Sequence, residues 1–179
     1  MKKFLIAGAL VSALGLFGAG CARPAPSPAE HISSSPADMI GAGQPLLPQA
    51  SMSVKGIPLT VEVARTADEK ARGLSGRRGL AEGTGMLFVF DAPSLLSFWM
   101  PDMQFDLDII WIRDDAIVDI SAQVPHPNPG TPLSQLPAYS PRAPVAYVLE
   151  VPAGWVEQHG AAAGDKVILP AVDRGQIIR

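Results

Sequence analysis

The chain has 179 residues, 47% of them hydrophobic, which is enough for one ordinary domain with tails. Its 14 basic and 17 acidic residues give a formal net charge of −3, and this balance argues against nucleic acid or an anionic membrane surface as a partner. The 18 prolines indicate long irregular segments beside the folded part.

Residues 1–20 have the pattern of an export signal. Two lysines precede an uncharged apolar run over 4–17, and small residues lead to Cys21. The arrangement resembles the lipobox of bacterial lipoproteins, in which the cysteine is lipidated and becomes the mature N-terminus, although Gly18 stands where leucine is usual. The alternative is a simple secretory signal that is cleaved just before a free thiol.

Cys21 is the only cysteine, so it has no disulfide partner within the chain, and this favours lipidation. Ala22 follows where an aspartate could stand, which in lipoproteins is typical of the outer membrane. Residues 21–51 are rich in proline, alanine and serine without apolar periodicity, which predicts a flexible tether. We therefore expect a single folded domain over 52–179, lipid-anchored on the periplasmic face of the cell envelope.

The first part of this domain shows a strand followed by a short helix. Apolar and other residues alternate over 57–63, which predicts a half-buried strand. Thr66 and Glu69 have the spacing of a capping box, so a helix should begin there and end at Gly73. The glycine-rich residues 74–85 predict a loop.

The most apolar stretch, residues 86–113, is the predicted centre of the domain. Its composition predicts three strands, over 86–90, 95–100 and 107–113. Both faces of the third strand are apolar, which predicts a central strand covered on two sides. Residues 116–121 should pair with it through a turn.

The remainder of the chain combines a long loop with two strands and a second short helix. Residues 124–144 contain seven prolines, which predicts a stiff surface loop. Strands are predicted over 145–151 and 166–169, and a helix is predicted between Pro152 and Gly160. The fold class is therefore predicted as mainly β (α+β), a small compact barrel-like antiparallel or mixed sheet with two short helices.

Six motifs resemble those of a known family. In order they are ARGLSGR, GTGMLFVFD, SFWM, LDIIWI, AYVLEV and GDKV, and together they resemble the domain-of-unknown-function 192 family over 54–169. The resemblance implies a small, mainly β domain with short helices, often exported and without an established activity. Ser75 stands where the family usually has methionine, and Asp106 where it usually has proline, so any shared pocket should be reshaped.

The main candidate site is a ligand-binding set of polar and aromatic side chains, namely Arg72, Trp99, Asp108, Tyr139 and Glu150. Asp108 shares a strand face with isoleucines, and a buried carboxylate must be paired or hydrogen-bonded. In one interpretation it is structural, accepting backbone N–H groups of residues 83–85 or pairing with Arg72. In the other it anchors a small molecule between Trp99 and Tyr139.

Three alternatives remain open. Asp108 and Glu150 could form the carboxylate pair of a small hydrolase. Met86, Met100 and Met103 could bind Cu(I), although methionines also fill irregular gaps in a core. The loop over 124–144 could serve as a protein-interaction module, which would require an exposed apolar patch.

Other chemistry has little support in the sequence. Asp102, Asp106 and Asp108 lack the glycine of a dedicated calcium loop. No G-x-S-x-G, H-E-x-x-H or C-x-x-C motif is present, so no cofactor is predicted. The sequence therefore favours a non-catalytic binding or accessory domain.

Lipidation makes a direct prediction about membrane association. Replacing Cys21 with serine removes the acceptor thiol, so Cys21→Ser should move the protein from the membrane fraction to the soluble fraction after cell fractionation. Unchanged membrane association of Cys21→Ser would contradict a lipid anchor at this residue.

Overall fold

The computed structural model describes residues 44–171, which belong to one compact unit of the chain. The predicted signal, Cys21 and most of the predicted tether lie outside the described residues. Within 44–171, no helix is long and apolar enough to cross a membrane.

Residues 44–171 form seven strands and two short α-helices. They are β1 Gln49–Val54, β2 Ile57–Ala64, α1 Ala67–Arg72, β3 Thr84–Ser94, β4 Leu107–Arg113, β5 Ala116–Val124, β6 Val145–Pro152, α2 Trp155–His159 and β7 Val167–Ile168, with a 3-10 turn at Leu133–Gln135. The strands form one curled sheet, a half-barrel, in the order β5-β4-β6-β3-β2-β1-β7. The predicted fold class is confirmed.

The sheet is mixed because one of its strand pairs is parallel. β2 and β3 run parallel and are connected through α1, whereas the other five pairs are antiparallel. The predicted capping box of α1 is present, since Thr66 accepts from the Glu69 backbone and Glu69 accepts from the Thr66 backbone. Gly73 ends this helix at a positive φ of 49°.

The two edges of the sheet meet at the segment before β7. The Val167 backbone N–H donates to the Asp115 carbonyl at 2.7 Å, and the Ile117 N–H donates to the Asp165 carbonyl at 3.0 Å. On the other side, the Lys55 N–H donates to the Lys166 carbonyl at 2.8 Å. These bonds occupy backbone groups at edges that would otherwise be free to pair with another chain.

Both faces of the central strands are buried. In β4, Ile110 and Ile112 face an inner cluster to which all seven strands and α2 contribute. Leu107, Ile109 and Trp111 face an outer cluster formed with residues of the connecting segments. The prediction that β4 is covered on two sides is therefore confirmed.

Three details differ from the prediction. Residues 95–100 do not form a strand, because β3 continues to Ser94 and the following segment makes a single bridge, Phe98 to Tyr139, with backbone bonds of 2.8 and 2.7 Å. The strand β1 was not predicted. The helix α2 begins after Gly154, which caps it in the left-handed conformation, and Pro152 belongs to β6.

Candidate functional site

Glu150 lies on the outer face of the sheet, in the middle of three strands. In the strand register Glu150 is paired with Met86 of β3 and with Ile109 of β4. Directly paired residues project from the same face of a sheet, and both partners belong to the outer cluster. A carboxyl group is thus placed among apolar side chains.

The Glu150 side chain lines a small cavity of about 40 Å³. The C-terminal half of α1 and the residues after it form one wall, and the segment around Trp99 forms the other. The residues that line it include Lys70, Arg72, Ser75, Trp99, Met100 and Met103. We call this space the Glu150 cavity.

The Glu150 carboxyl has no hydrogen-bond partner among the described residues, although the residue is only 6% exposed. Burial raises its pKa to about 8, because removal from water penalises the charged form and no partner compensates. Glu150 is therefore protonated at neutral pH and can donate a hydrogen bond.

Glu62 shows what a compensated buried carboxylate looks like in the same fold. It accepts hydrogen bonds from Arg77 Nη2 and from the Leu47 backbone N–H, both at 2.9 Å. Burial opposes its ionisation, but the Arg77 hydrogen bond, the Leu47 amide and the Arg77 charge together lower the pKa of Glu62. This ion pair was not predicted, because Glu62 and Arg77 meet only through tertiary structure.

An apolar groove of about 290 Å³ adjoins the Glu150 cavity. Phe90, Leu96, Phe98 and Trp99 form its apolar lining, and Phe98 and Trp99 also line the cavity. Trp99 is 53% exposed, which is unusual for so large an apolar side chain. We call this feature the aromatic groove.

Two glycines allow neighbouring parts of the site to pack closely. At Gly85 a β-carbon would lie 2.6 Å from the Glu150 backbone oxygen, so only glycine lets β3 approach β6 here. At Gly73 a β-carbon would lie 3.3 Å from the Phe88 ring, in a backbone conformation that already favours glycine. Both glycines stand in the motifs that carry the family resemblance.

Asp108 lies on the opposite face of the sheet from Glu150. It is paired with Val151 of the inner cluster, and its oxygens accept from the backbone N–H groups of Gln123 at 2.7 Å and Val156 at 2.8 Å. Asp108 thus supplies an acceptor to the first turn of α2, whose cap, Gly154, has no side chain. The structural interpretation of Asp108 correctly predicted backbone N–H groups as its partners. The predicted donors, residues 83–85 and Arg72, were wrong.

The hydrolase hypothesis, which requires Asp108 and Glu150 to share one cleft, is therefore wrong. Asp108 and Glu150 project from opposite faces of one sheet and do not share a cleft. Without a common cleft, the two carboxyl groups cannot flank one scissile bond.

The other predicted site residues lie on the Glu150 side. Arg72 and Trp99 line the Glu150 cavity, and Arg72 forms no ion pair within 44–171. Tyr139 does not line the cavity; it pairs with the backbone of Phe98 and packs at the edge of the outer cluster. Three of the five predicted residues thus meet in one cavity.

The methionines and aspartates considered as metal ligands lie in different parts of the structure. Met86, Met100 and Met103 all belong to the outer cluster, and the last two line the Glu150 cavity. Asp106 instead pairs with His126, whose Nδ1 lies 2.6 Å from Asp106 Oδ1. No group of three or more histidine, cysteine or acidic residues that could hold a metal occurs in the described part of the chain.

Sequence reasoning missed several cavity residues. Ser75 lines the cavity, and its hydroxyl donates to the Pro101 carbonyl at 2.8 Å. Ser75 departs from the family pattern, and such a departure is a sequence signal that can indicate a pocket position. Phe88 and Phe98 gave no such signal, because aromatic residues in apolar runs are most often core.

The comparisons with known proteins agree with the fold. The model of the domain-of-unknown-function 192 family, described as an uncharacterised group, matches residues 50–169. The chain belongs to this family. No curated protein matches the chain.

Two crystal structures are similar to this member of the family. A proposed transcription regulator from Sinorhizobium meliloti 1021 has 31% identity and a TM-score of 0.61, with coverage of 70% of this chain and 96% of that one. A protein of unknown function from Novosphingobium aromaticivorans DSM 12444 has 28% identity and a TM-score of 0.62, with coverage of 76% and 99%.

The raised pKa of Glu150 predicts how stability depends on pH. In the unfolded chain Glu150 ionises above about 4.5, whereas the folded protein holds the proton up to about 8. Between these values the unfolded state binds fewer protons, so stability falls as pH rises, by about 1.4 kcal/mol per pH unit from this group. Glu150→Gln removes this dependence, so its stability relative to wild type should increase from pH 5 to pH 8 in urea unfolding.

The matched control is Glu82→Gln, which replaces an exposed glutamate. Its stability difference from wild type should stay flat over the same range. A Glu150→Gln difference that is equally flat would show that Glu150 is ionised in the folded protein.

Proposed function

We propose that this domain is a non-catalytic binding domain and that its ligand occupies the Glu150 cavity and the aromatic groove. The observation that carries the proposal is that Glu150, only 6% exposed, lines the cavity while its carboxyl has no hydrogen-bond partner among the described residues. A hydrogen bond from a ligand at such a nearly buried position contributes on the order of 0.5–1.5 kcal/mol, and more when one partner is charged. A protein that needed this position only for packing could use an apolar residue.

The surroundings of Glu150 have the composition of a binding site. Ligand sites are mostly apolar and aromatic, with a few polar groups that fix orientation. Here the aromatic groove supplies apolar surface through Phe90, Phe98 and Trp99, while Glu150 and Arg72 supply the polar contacts. The exposure of Trp99 fits a side chain that a ligand covers.

The exported location belongs to the same proposal. The export signal, Cys21 and the proline-rich tether support a domain held at the outer membrane, facing the periplasm. The regulator description belongs to the Sinorhizobium meliloti protein, and a net charge of −3 gives this chain little electrostatic attraction for DNA.

Two other functions receive less support. Met100 and Met103 in the cavity, with Met86 nearby in the outer cluster, favour Cu(I) as a second candidate, since thioethers prefer that ion. Two features disfavour a copper ion here: Glu150 is protonated, and the cationic residues Lys70 and Arg72 line the same cavity. Within the 124–144 loop, Leu133 is the one large apolar side chain that is exposed, and a single side chain falls short of an apolar patch.

The direct test is a thermal-shift screen of the full-length chain in detergent, followed by intrinsic tryptophan fluorescence. The compounds are organic acids, amines, amino acids, short peptides and sugars, together with Cu(I) and Ag(I). A compound at 100 times its Kd should stabilise the protein by about 2.7 kcal/mol. That shift should be lost in Trp99→Ala, which removes a wall shared by the cavity and the groove.

Leu133→Ala provides the control, because Leu133 is also an exposed large apolar side chain but lies outside the cavity and the groove. It should keep the full shift. Hits that survive Trp99→Ala, or a screen with no hits, would contradict a binding site here. Loss of only the Ag(I) and Cu(I) shifts in Met100→Leu would favour the copper candidate.

A further inference from the structure

We propose that the ligand is a small apolar acid, whose carboxylate enters the Glu150 cavity between Arg72 and Glu150 while its apolar body lies in the aromatic groove. This inference rests on the proposed function and names the chemical class of the ligand.

The charges around the cavity favour an anion. Among the described residues that line it, the ionisable groups are Lys70, Arg72 and Glu150. The neighbouring strands contribute Met86, Phe88 and Ile109 to the same cluster, all uncharged. Asp102 belongs to the segment around Trp99 that forms the other wall of the cavity, but it lines a separate depression together with His126.

One of the two cations is free to bind a ligand. Lys70 Nζ donates to the Val89 carbonyl at 3.2 Å and lies 4.6 Å from the centre of the Phe90 ring. Arg72 makes no such contact within 44–171, so its guanidinium can meet a carboxylate, the group whose geometry it fits best.

Glu150 completes the recognition as a donor. Protonated, it offers one O–H to an acceptor oxygen, and nothing in the described structure competes for that proton. A carboxylate has acceptor positions on both oxygens, so it can accept from Arg72 and from Glu150 at once. The cavity of about 40 Å³ admits a group of that size but not a larger body.

The aromatic groove accounts for the rest of the ligand. Its volume of about 290 Å³ is much larger than that of the cavity. Its lining is mainly apolar, with Phe90, Leu96, Phe98 and Trp99 beside Ala71, Ser97 and Lys70. Phe98 is held by edge contacts to Phe88 and Trp111, with ring centroids 5.0 and 5.6 Å apart. A rigid aromatic wall favours a planar or aliphatic body over a polar one.

The test uses three probes with the same body and different heads: 3-phenylpropanoate, 3-phenylpropanamide and 3-phenylpropylamine. Titration calorimetry on the full-length chain in detergent, from pH 6 to pH 9, measures each Kd. The acid should bind most tightly at pH 6–7. Above about 8 its affinity should fall roughly tenfold per pH unit, because Glu150 loses the donated proton and becomes a like charge.

Variants separate a specific site from general structural damage. Glu150→Gln keeps a donor without a titratable group, so the acid should still bind at pH 7 and should no longer lose affinity by pH 9. Arg72→Gln should weaken the acid at least tenfold and leave the amide within about threefold. Arg78→Gln, an exposed arginine outside the cavity, should change neither.

The opposite pH dependence would overturn the inference. If the amine binds best and its affinity rises towards pH 8, an ionised Glu150 holds a cation; the ligand class is then wrong, but the binding site stands. Failure of all three probes to bind at millimolar concentration also overturns the inference. The proposed function is then decided by the wider screen and Trp99→Ala.

Discussion

The central strands β3, β6 and β4 are buried on both faces over most of their length, and this burial determines where polar side chains can lie. Because the buried residues of these strands alternate between an inner and an outer cluster, each of them enters one apolar layer or the other. A carboxyl group at such a buried position is largely removed from water. Asp108 on β4 and Glu150 on β6 are both in this position, nearly side by side in the sheet.

The two carboxyl groups differ in how the fold satisfies them. Asp108 meets two backbone N–H groups, at 2.7 and 2.8 Å, and joins β4 to the bulged end of β5 and to the start of α2. Its role is complete within the described structure. Glu150 meets apolar side chains and a cavity, and burial raises its pKa to about 8. The same chemistry on adjacent strands thus gives a structural group on one face and a candidate site on the other.

Much of the fold could be predicted from the sequence, because its signals are local. The alternation in β2, the capping box at Thr66 and the two apolar faces of β4 each depend on neighbours in the chain. The segment after Ser94 was wrongly predicted as a strand, because apolar composition does not distinguish a strand from residues that cover a core. For the site, Arg72, Trp99 and Glu150 could be selected as polar or aromatic residues, but the face on which Asp108 projects depends on strand register.

The proposed binding site requires Glu150 to be a neutral acid in the folded protein at pH 7. Carbon-13 NMR of protein labelled at the glutamate carboxyl carbon measures this directly, and Glu150→Gln identifies the resonance by its absence. This resonance should titrate with a midpoint of about 8, well above the ordinary glutamate value of 4.5. A midpoint near the ordinary value of 4.5 would instead show that Glu150 is ionised at pH 7 and cannot donate a hydrogen bond to a ligand.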